Sequence, residues 1–370
     1  MKDMLYGKTL PELKTITDEM GLPPYTARQI AHWLYQKHAR SIEEMTSLSV
    51  ETRNHLEETY TLGLQDHANV TVSSDATRKY LFQAKRPPAA TDDSAQANDS
   101  AQANDSADSE RPRFVEAAYI PEPDRATLCL STQVGCRMAC LFCMTGKQGL
   151  QGQLSAGEIA NQYESLPERD TVTNIVYMGM GEPLDNIDAV LKSLSILTSD
   201  WGYRMSPSRI TVSTVGLIPA TKRFLEESAC HLAISMHSPF EEERRRLMPV
   251  QHVHRLTEVL ETIRAFDFPR QRRVSFEYIV FGGLNHSAAH AKEIARILQG
   301  IRCRLNLIHF HAIPGTPLQP ATDEQMVEFQ NILKSKGILT TIRRSRGEDI
   351  LAACGLLSTR ELVKQSTTDY

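Results

Sequence analysis

Between residues 125 and 345, short β-rich runs alternate with amphipathic stretches, and this alternation restricts the fold more than any other feature of the chain. Strands are expected at 127–131, 174–178, 209–213, 231–236, 274–280 and 304–310. Helices are expected near 155–165, 186–199, 217–228, 254–267 and 287–299, followed by a further helix at 323–336 and a strand at 338–343. Such repetition builds a parallel sheet, because each crossover must return the chain to the same end. In a parallel barrel, chemistry gathers on the loops that follow the strands. Polar residues fall at those places here. Gly181 and Glu182 follow the second expected strand, Ser213 ends the third, Ser235 and His237 end the fourth, and His311 follows the sixth.

The flanks read differently. Residues 1–63 form a small helical unit, with Thr9 capping a helix that has Pro11 in its first turn. Gly21-Leu-Pro-Pro ends that helix; 26–37 is apolar at helical spacing (Ile30, Trp33, Leu34), and 41–58 supplies a further helix or two. Residues 67–86 alternate as strands. Segment 87–113 repeats Ser-Ala-Gln-Ala-Asn-Asp and holds no large apolar residue, so it cannot offset its ordering entropy. It is expected to be a disordered insertion at a hairpin tip, between Tyr80-Leu-Phe and Phe114-Val-Glu-Ala-Ala-Tyr-Ile. The expected layout is 1–63 helical accessory domain, 64–124 hairpin region, 125–345 barrel and 346–370 C-terminal segment. The fold class is α/β: a partial (βα)6 barrel resembling a TIM barrel, with a helical domain and a β-hairpin added.

Three cysteines, Cys136, Cys140 and Cys143, lie where the first expected strand runs out. Spaced four then three, they can converge on one metal centre. Structural zinc takes four protein ligands. A cubane iron–sulfur cluster takes one thiolate per iron, so three thiolates leave one iron open for chemistry. Cys230 and Cys303 read as small buried hydrophobes. Clustered thiols point to a reducing compartment, and the cytoplasm is expected. No stretch of 18 apolar residues suggests a membrane span, and the N-terminus lacks the apolar core of a signal peptide. Segment 87–113 carries six acids and two arginines, which accounts for the whole formal charge of −4. The remainder is balanced, but its arginines cluster at 244–246, 270–273 and 343–346, and such clusters can bind phosphates.

Cys-x3-Cys-x2-Cys after one strand and Met178-Gly-Met-Gly-Glu-Pro183 after the next resemble the radical S-adenosylmethionine superfamily. Thr211-Val-Ser-Thr, Ala233-Ile-Ser-Met-His237, Arg346-Gly-Glu-Asp-Ile and Ala352-Ala-Cys-Gly355 narrow the resemblance to the RlmN/Cfr family of RNA methyltransferases, in its RlmN branch. It covers nearly the whole chain apart from 87–113 and the extreme termini.

The resemblance implies a [4Fe-4S] cluster on Cys136, Cys140 and Cys143. It also implies two S-adenosylmethionines per turnover, held by Gly181, Glu182, Ser213, Ser235, Met236, His237 and His311. His311 stands where many relatives carry Asn. The implied substrates are 23S rRNA and tRNA, with an electron donor such as flavodoxin or ferredoxin; a monomer without membrane attachment is expected. The implied reaction is methylation of adenosine C2, an electron-poor carbon that cannot attack a sulfonium directly. Cys354 takes a methyl by displacement, a radical derived from the second cofactor removes a hydrogen from it, and the methylene radical adds to C2. Glu116 matches the proton acceptor. Cys129 then displaces the RNA from Cys354 and leaves a transient disulfide. Two alternatives stay open: methylation at C8, the Cfr activity, and a non-catalytic, metal-stabilised RNA-binding module.

Overall fold

A computed structural model describes residues 2–85 and 112–359. Three helices open the chain: α1 (Leu10–Glu19), α2 (Thr26–Tyr35) and α3 (Val50–Thr59). Thr9 caps α1 in a reciprocal box with Glu12, which satisfies two otherwise unpaired amides. Leu13, Ile16, Ile30, Leu34 and Leu56 bury a core of their own, which reaches the rest of the chain through Ala160 and Ile196. Residues 41–49 form turns rather than a second helix.

Two short sheets pair Asp3–Met4 with Tyr60–Thr61 and Gln133–Val134 with Gly152–Gln153, and ten further strands share one main sheet. They are β1 (Asn69–Val72), β2 (Arg78–Ala84), β3 (Arg113–Glu122), β4 (Arg125–Cys129), β5 (Asn174–Tyr177), β6 (Ile210–Thr214), β7 (His231–Ser235), β8 (Val274–Val280), β9 (Cys303–His309) and β10 (Thr340–Ile342). They lie side by side in chain order, antiparallel from β1 to β4 and parallel from β4 to β10. The expected hairpin therefore extends the barrel sheet itself, and β10, the further strand expected at 338–343, joins the six expected barrel strands as a seventh in parallel. Ala84 pairs with Arg113, so the acidic repeat connects the paired ends of β2 and β3; its expected disorder lies outside the described residues.

Laid flat, ten strands would separate β1 from β10 by about 43 Å. Yet the Gly347 amide, five residues beyond β10, donates to Asp75 in the β1–β2 turn (3.0 Å). Five extended residues reach only about 18 Å. The sheet is therefore rolled into an open barrel, and residues 343–349 bridge its two edges.

Side chains alternate across this sheet. Ile175, Val212, Leu232, Ile234, Phe276, Leu305 and Leu307 point outward and are fully buried under the surrounding helices. Those helices are α5 (Ala156–Glu164), α6 (Ile187–Thr198), α7 (Ile218–Glu227), α9 (Leu256–Ala265), α10 (Ala288–Ile297) and α11 (Asp323–Ser335), with α4 (Met144–Gln148) and α8 (Glu241–Leu247) at the mouth. The intervening strand residues, including Thr127, Cys129, Asn174, Thr211 and Asn306, line the lumen.

Candidate active site

β4 runs directly into the cysteine loop. A Cβ on Gly135 would lie 1.7 Å from the Gly149 carbonyl oxygen, so only glycine, at φ +73°, lets the loop close. That carbonyl accepts from the Cys136 amide (3.1 Å), and the Cys143 amide donates to the Cys140 carbonyl (3.1 Å). Cys136 and Cys140 are buried and Cys143 half-buried. Burial pushes the Cys136 thiol up to about 12 and the Cys140 thiol well above its ordinary value. Among the described residues no three Cys, His, Asp or Glu side chains converge on the position of a single ion. Cubane thiolates bind separate irons and stand further apart, and three soft sulfurs without carboxylate or imidazole suit iron–sulfur chemistry.

The strand ends surround this loop. Gly181 has φ +98°, and a Cβ there would lie 2.6 Å from that of Gln133. Glu182 is buried; its two carboxylate oxygens accept from the amides of Leu184 (3.1 Å) and Val215 (3.0 Å). Burial raises it to about 7 against the pull of bonds to Thr214, Val215 and Leu184. Ser213 and Ser235 are half-buried. The Met236 side chain belongs to the outward core, which leaves its backbone at the mouth. His237 is buried; Nδ1 accepts from the Ile279 amide (3.0 Å), and the ring meets Phe142 of the cysteine loop edge-on at 4.7 Å. Burial, then Arg244, lowers its pKa to about 3, so the ring stays neutral. His237 thus props the loop. His311 holds the bridging segment, with Nε2 2.7 Å from Ser345 Oγ and Nδ1 3.1 Å from Glu348 Oε1.

A cavity of about 490 Å³ opens beside the loop, and Cys129, Met178, His311, Arg343 and Cys354 are in its wall. The C-terminal segment is tied down around it. The Met144 amide donates to Gly355 O (2.8 Å), Thr145 Oγ1 to Leu357 O (2.6 Å) and the Ser358 amide to Glu116 Oε2 (3.0 Å). Cys354 is exposed to the cavity; crowding by protein pushes its thiol up and the Arg343 guanidinium pulls it down. Burial, then Cys354, pushes Cys129 up to about 12. Both are free thiols, and the transient disulfide is not formed. Glu116 lies behind the segment rather than in the wall. It is 1% exposed, with Lys79 Nζ at 3.0 Å, and burial raises its pKa against the pull of Lys79.

Several functional candidates escaped sequence reasoning. Inside the lumen, Glu277 Oε1 accepts from Ser275 Oγ (2.9 Å) and Asn306 Nδ2 (2.8 Å), Thr341 donates to Asn306 Oδ1 (2.7 Å), and Arg343 lies 3.7 Å from Glu277 Oε2. Their signal was polar residues recurring every second position within apolar strands. The arginine clusters also separate. Arg245 and Arg246 pair with Glu242. Arg272 packs against the rings of Phe224, Phe266 and Phe268 and donates to Cys230 O (2.9 Å). Only 343–346 places its arginines in the cavity wall.

A sequence profile of the radical SAM superfamily matches residues 130–298, and one of the "Ribosomal RNA large subunit methyltransferase N-terminal domain" matches 4–62. "Probable dual-specificity RNA methyltransferase RlmN" of Bacteroides fragilis is 51% identical over 355 residues, 96% of either chain. "Dual-specificity RNA methyltransferase RlmN" of Syntrophus aciditrophicus is 40% identical over 96% of either chain. A crystal structure of a radical SAM methyltransferase from Sphaerobacter thermophilus superposes with a TM-score of 0.82 at 36% identity, covering 96% of this chain and 99% of that one.

Proposed function

The chain belongs to the RlmN family of radical S-adenosylmethionine RNA methyltransferases, and from that premise we propose that it methylates C2 of an adenosine in 23S rRNA and tRNA through a methyl group carried on Cys354. Cys136, Cys140 and Cys143 would hold a [4Fe-4S] cluster, which would supply the electron for cleavage of S-adenosylmethionine. Gly181, Glu182, Ser213, Ser235, His311 and the Met236 backbone bind that cofactor, while His237 braces the loop.

Cys354 acts as a thiolate nucleophile toward the methyl group. Arg343 supports that form, since its charge pulls the thiol toward ionisation. The adenine must then sit against Cys354, in the cavity that Cys354 lines, with the cysteine loop tied to the neighbouring Gly355. Glu116 takes the C2 proton once the segment that covers it, held to its carboxylate by the Ser358 amide, moves aside, and its raised pKa gives it more affinity for that proton than an exposed carboxylate has. Cys129 attacks Cys354 and frees the RNA; the two sulfurs line one cavity, and Cys354 contributes to the raised pKa of Cys129. The RNA backbone meets Arg343, Arg344 and Arg346, the arginine cluster beside the reacting sulfur.

The observation that carries this reading is the shared wall: Cys129 and Cys354 line one cavity, and Gly355 is hydrogen-bonded to Met144, next to Cys143. The test is nucleoside analysis of rRNA and tRNA after reaction with anaerobically reconstituted enzyme. 2-Methyladenosine in both is the expected product; 8-methyladenosine or unmodified RNA contradicts the proposal.

A further inference from the structure

Arg244 lies on α8, in a sequence of three acids and three arginines that reads as a solvated helix face. It is instead 0% exposed, the bulkiest fully buried side chain described. The spacing of Phe240, Arg244 and Leu247 turns it inward, and the Leu247 carbonyl accepts from the Leu141 amide of the cysteine loop (2.9 Å). Among the described residues no carboxylate pairs with it. Its donors reach Gln251 Oε1 and the carbonyls of Val215 (2.8 Å) and Ser235 (3.2 Å), and Nε has no acceptor.

Those acceptors are neutral. A buried guanidinium that keeps its charge needs an anion, because stripping water from an unpaired ion costs several kcal/mol. The cysteine loop is the neighbour that can supply one: Val215, whose carbonyl binds Arg244, and Leu247, one turn along α8, pack in one cluster with Cys140 and Phe142. Three thiolates outweigh the positive core of a cubane, and each added electron makes such a site more negative. A fixed cation beside them favours both assembly and reduction.

We propose that Arg244 is the buried counter-cation of the cluster site, a positioning residue that steadies the thiolate-bound cluster and raises its reduction potential. The proposal rests on Cys136, Cys140 and Cys143 as cluster ligands. Its structural rival is a neutral role, in which Arg244 only ties together the ends of β6 and β7 by hydrogen bonds.

Three measurements separate these. In R244Q the reconstituted cluster, titrated with paramagnetic resonance detection in the absence of RNA, is expected to be about tenfold harder to reduce, a shift of about 59 mV for one electron. R244K, which keeps the charge and loses the planar fork, is expected to stay near the wild-type potential. Thermal unfolding supplies the second readout: R244Q narrows the gap between holo and apo forms, because the apoprotein no longer buries an unpaired charge. The third uses unmodified chain. Chelating the iron is expected to accelerate amide exchange across 241–248, where the cation has lost its partner. Equal potentials in the wild type and R244Q, or equal destabilisation of both forms, overturns the proposal. So does failure of R244Q to fold in either form, coupled with unchanged exchange over 241–248 in the wild type. Absence of iron from the wild-type protein instead overturns the reading of the cysteines.

Discussion

The two faces of the barrel strands differ in what each is for. On β8, Phe276 and Tyr278 point outward and are fully buried against helices, while Ser275 and Glu277 point into the lumen and hydrogen-bond to each other. The outward row is apolar from β5 to β9 and makes the fold stable. The inward row sets polar residues such as Thr127, Asn174, Thr211 and Asn306 among apolar ones and lines a cavity, so it leaves space and hydrogen-bonding capacity for a ligand. A barrel of this kind is not packed through its centre. One period-two pattern encodes both a core and a site, and a one-residue slip of register would exchange them.

The strongest way to sharpen this contrast is at the mouth. Cys140→Ser is expected to abolish iron binding and cofactor cleavage, measured by iron content and release of 5′-deoxyadenosine, while circular dichroism retains the barrel signature. Next, Cys129→Ala should accumulate RNA covalently joined to the enzyme, seen as a shifted band on a denaturing gel. Cys354→Ala, and the double variant, should give none. A crosslink that survives loss of Cys354 places the methyl carrier elsewhere.

Adjacent residues on β8 test the two faces directly. Phe276→Ala opens a cavity in the outward core and should cost about 3–5 kcal/mol. Ser275→Ala removes one hydrogen bond and should cost about 1 kcal/mol. Urea unfolding of both variants measures the difference, and equal costs would mean that the lumen is packed like the core.

Glu182 connects the lumen to pH. Its folded pKa, about 7, lies above its ordinary 4.5. The folded state therefore holds a proton that the unfolded chain has lost. That contribution is fully present below pH about 4.5 and is lost as pH rises through about 7, at most about 3 kcal/mol. Unfolding of the apoprotein across this window should show the fall, and Glu182→Gln should flatten it. The smallest effect belongs to Arg344, exposed in the cavity wall and unpaired among the described residues. Arg344→Ala should weaken RNA binding several-fold and reduce the salt slope by about one.

Most of the barrel was legible because its signals are local. The helix expected at 217–228 is Ile218–Glu227, and the strand expected at 274–280 is Val274–Val280. The cysteine loop, Gly181 and Glu182 were legible through spacing after strands. Arg244 was not, since Glu-Glu-Glu-Arg-Arg-Arg looks solvated until the loop folds over it. The depth of Glu116 was also hidden, because residues 356–359, far away in sequence, cover it. Met236 shows the reverse: its neighbours face the mouth, but alternation turns its side chain into the outward core and leaves its backbone at the mouth.

The claim at the centre is that the sulfur of Cys354 carries the methyl group. It is tested by incubating the reduced, iron-loaded enzyme with methyl-labelled S-adenosylmethionine and no RNA, then sequencing its peptides by mass spectrometry. The account predicts one labelled methyl on Cys354 and none on Cys129. Label on another residue, or a Cys354 peptide that stays unmodified while the cofactor is consumed, would contradict it.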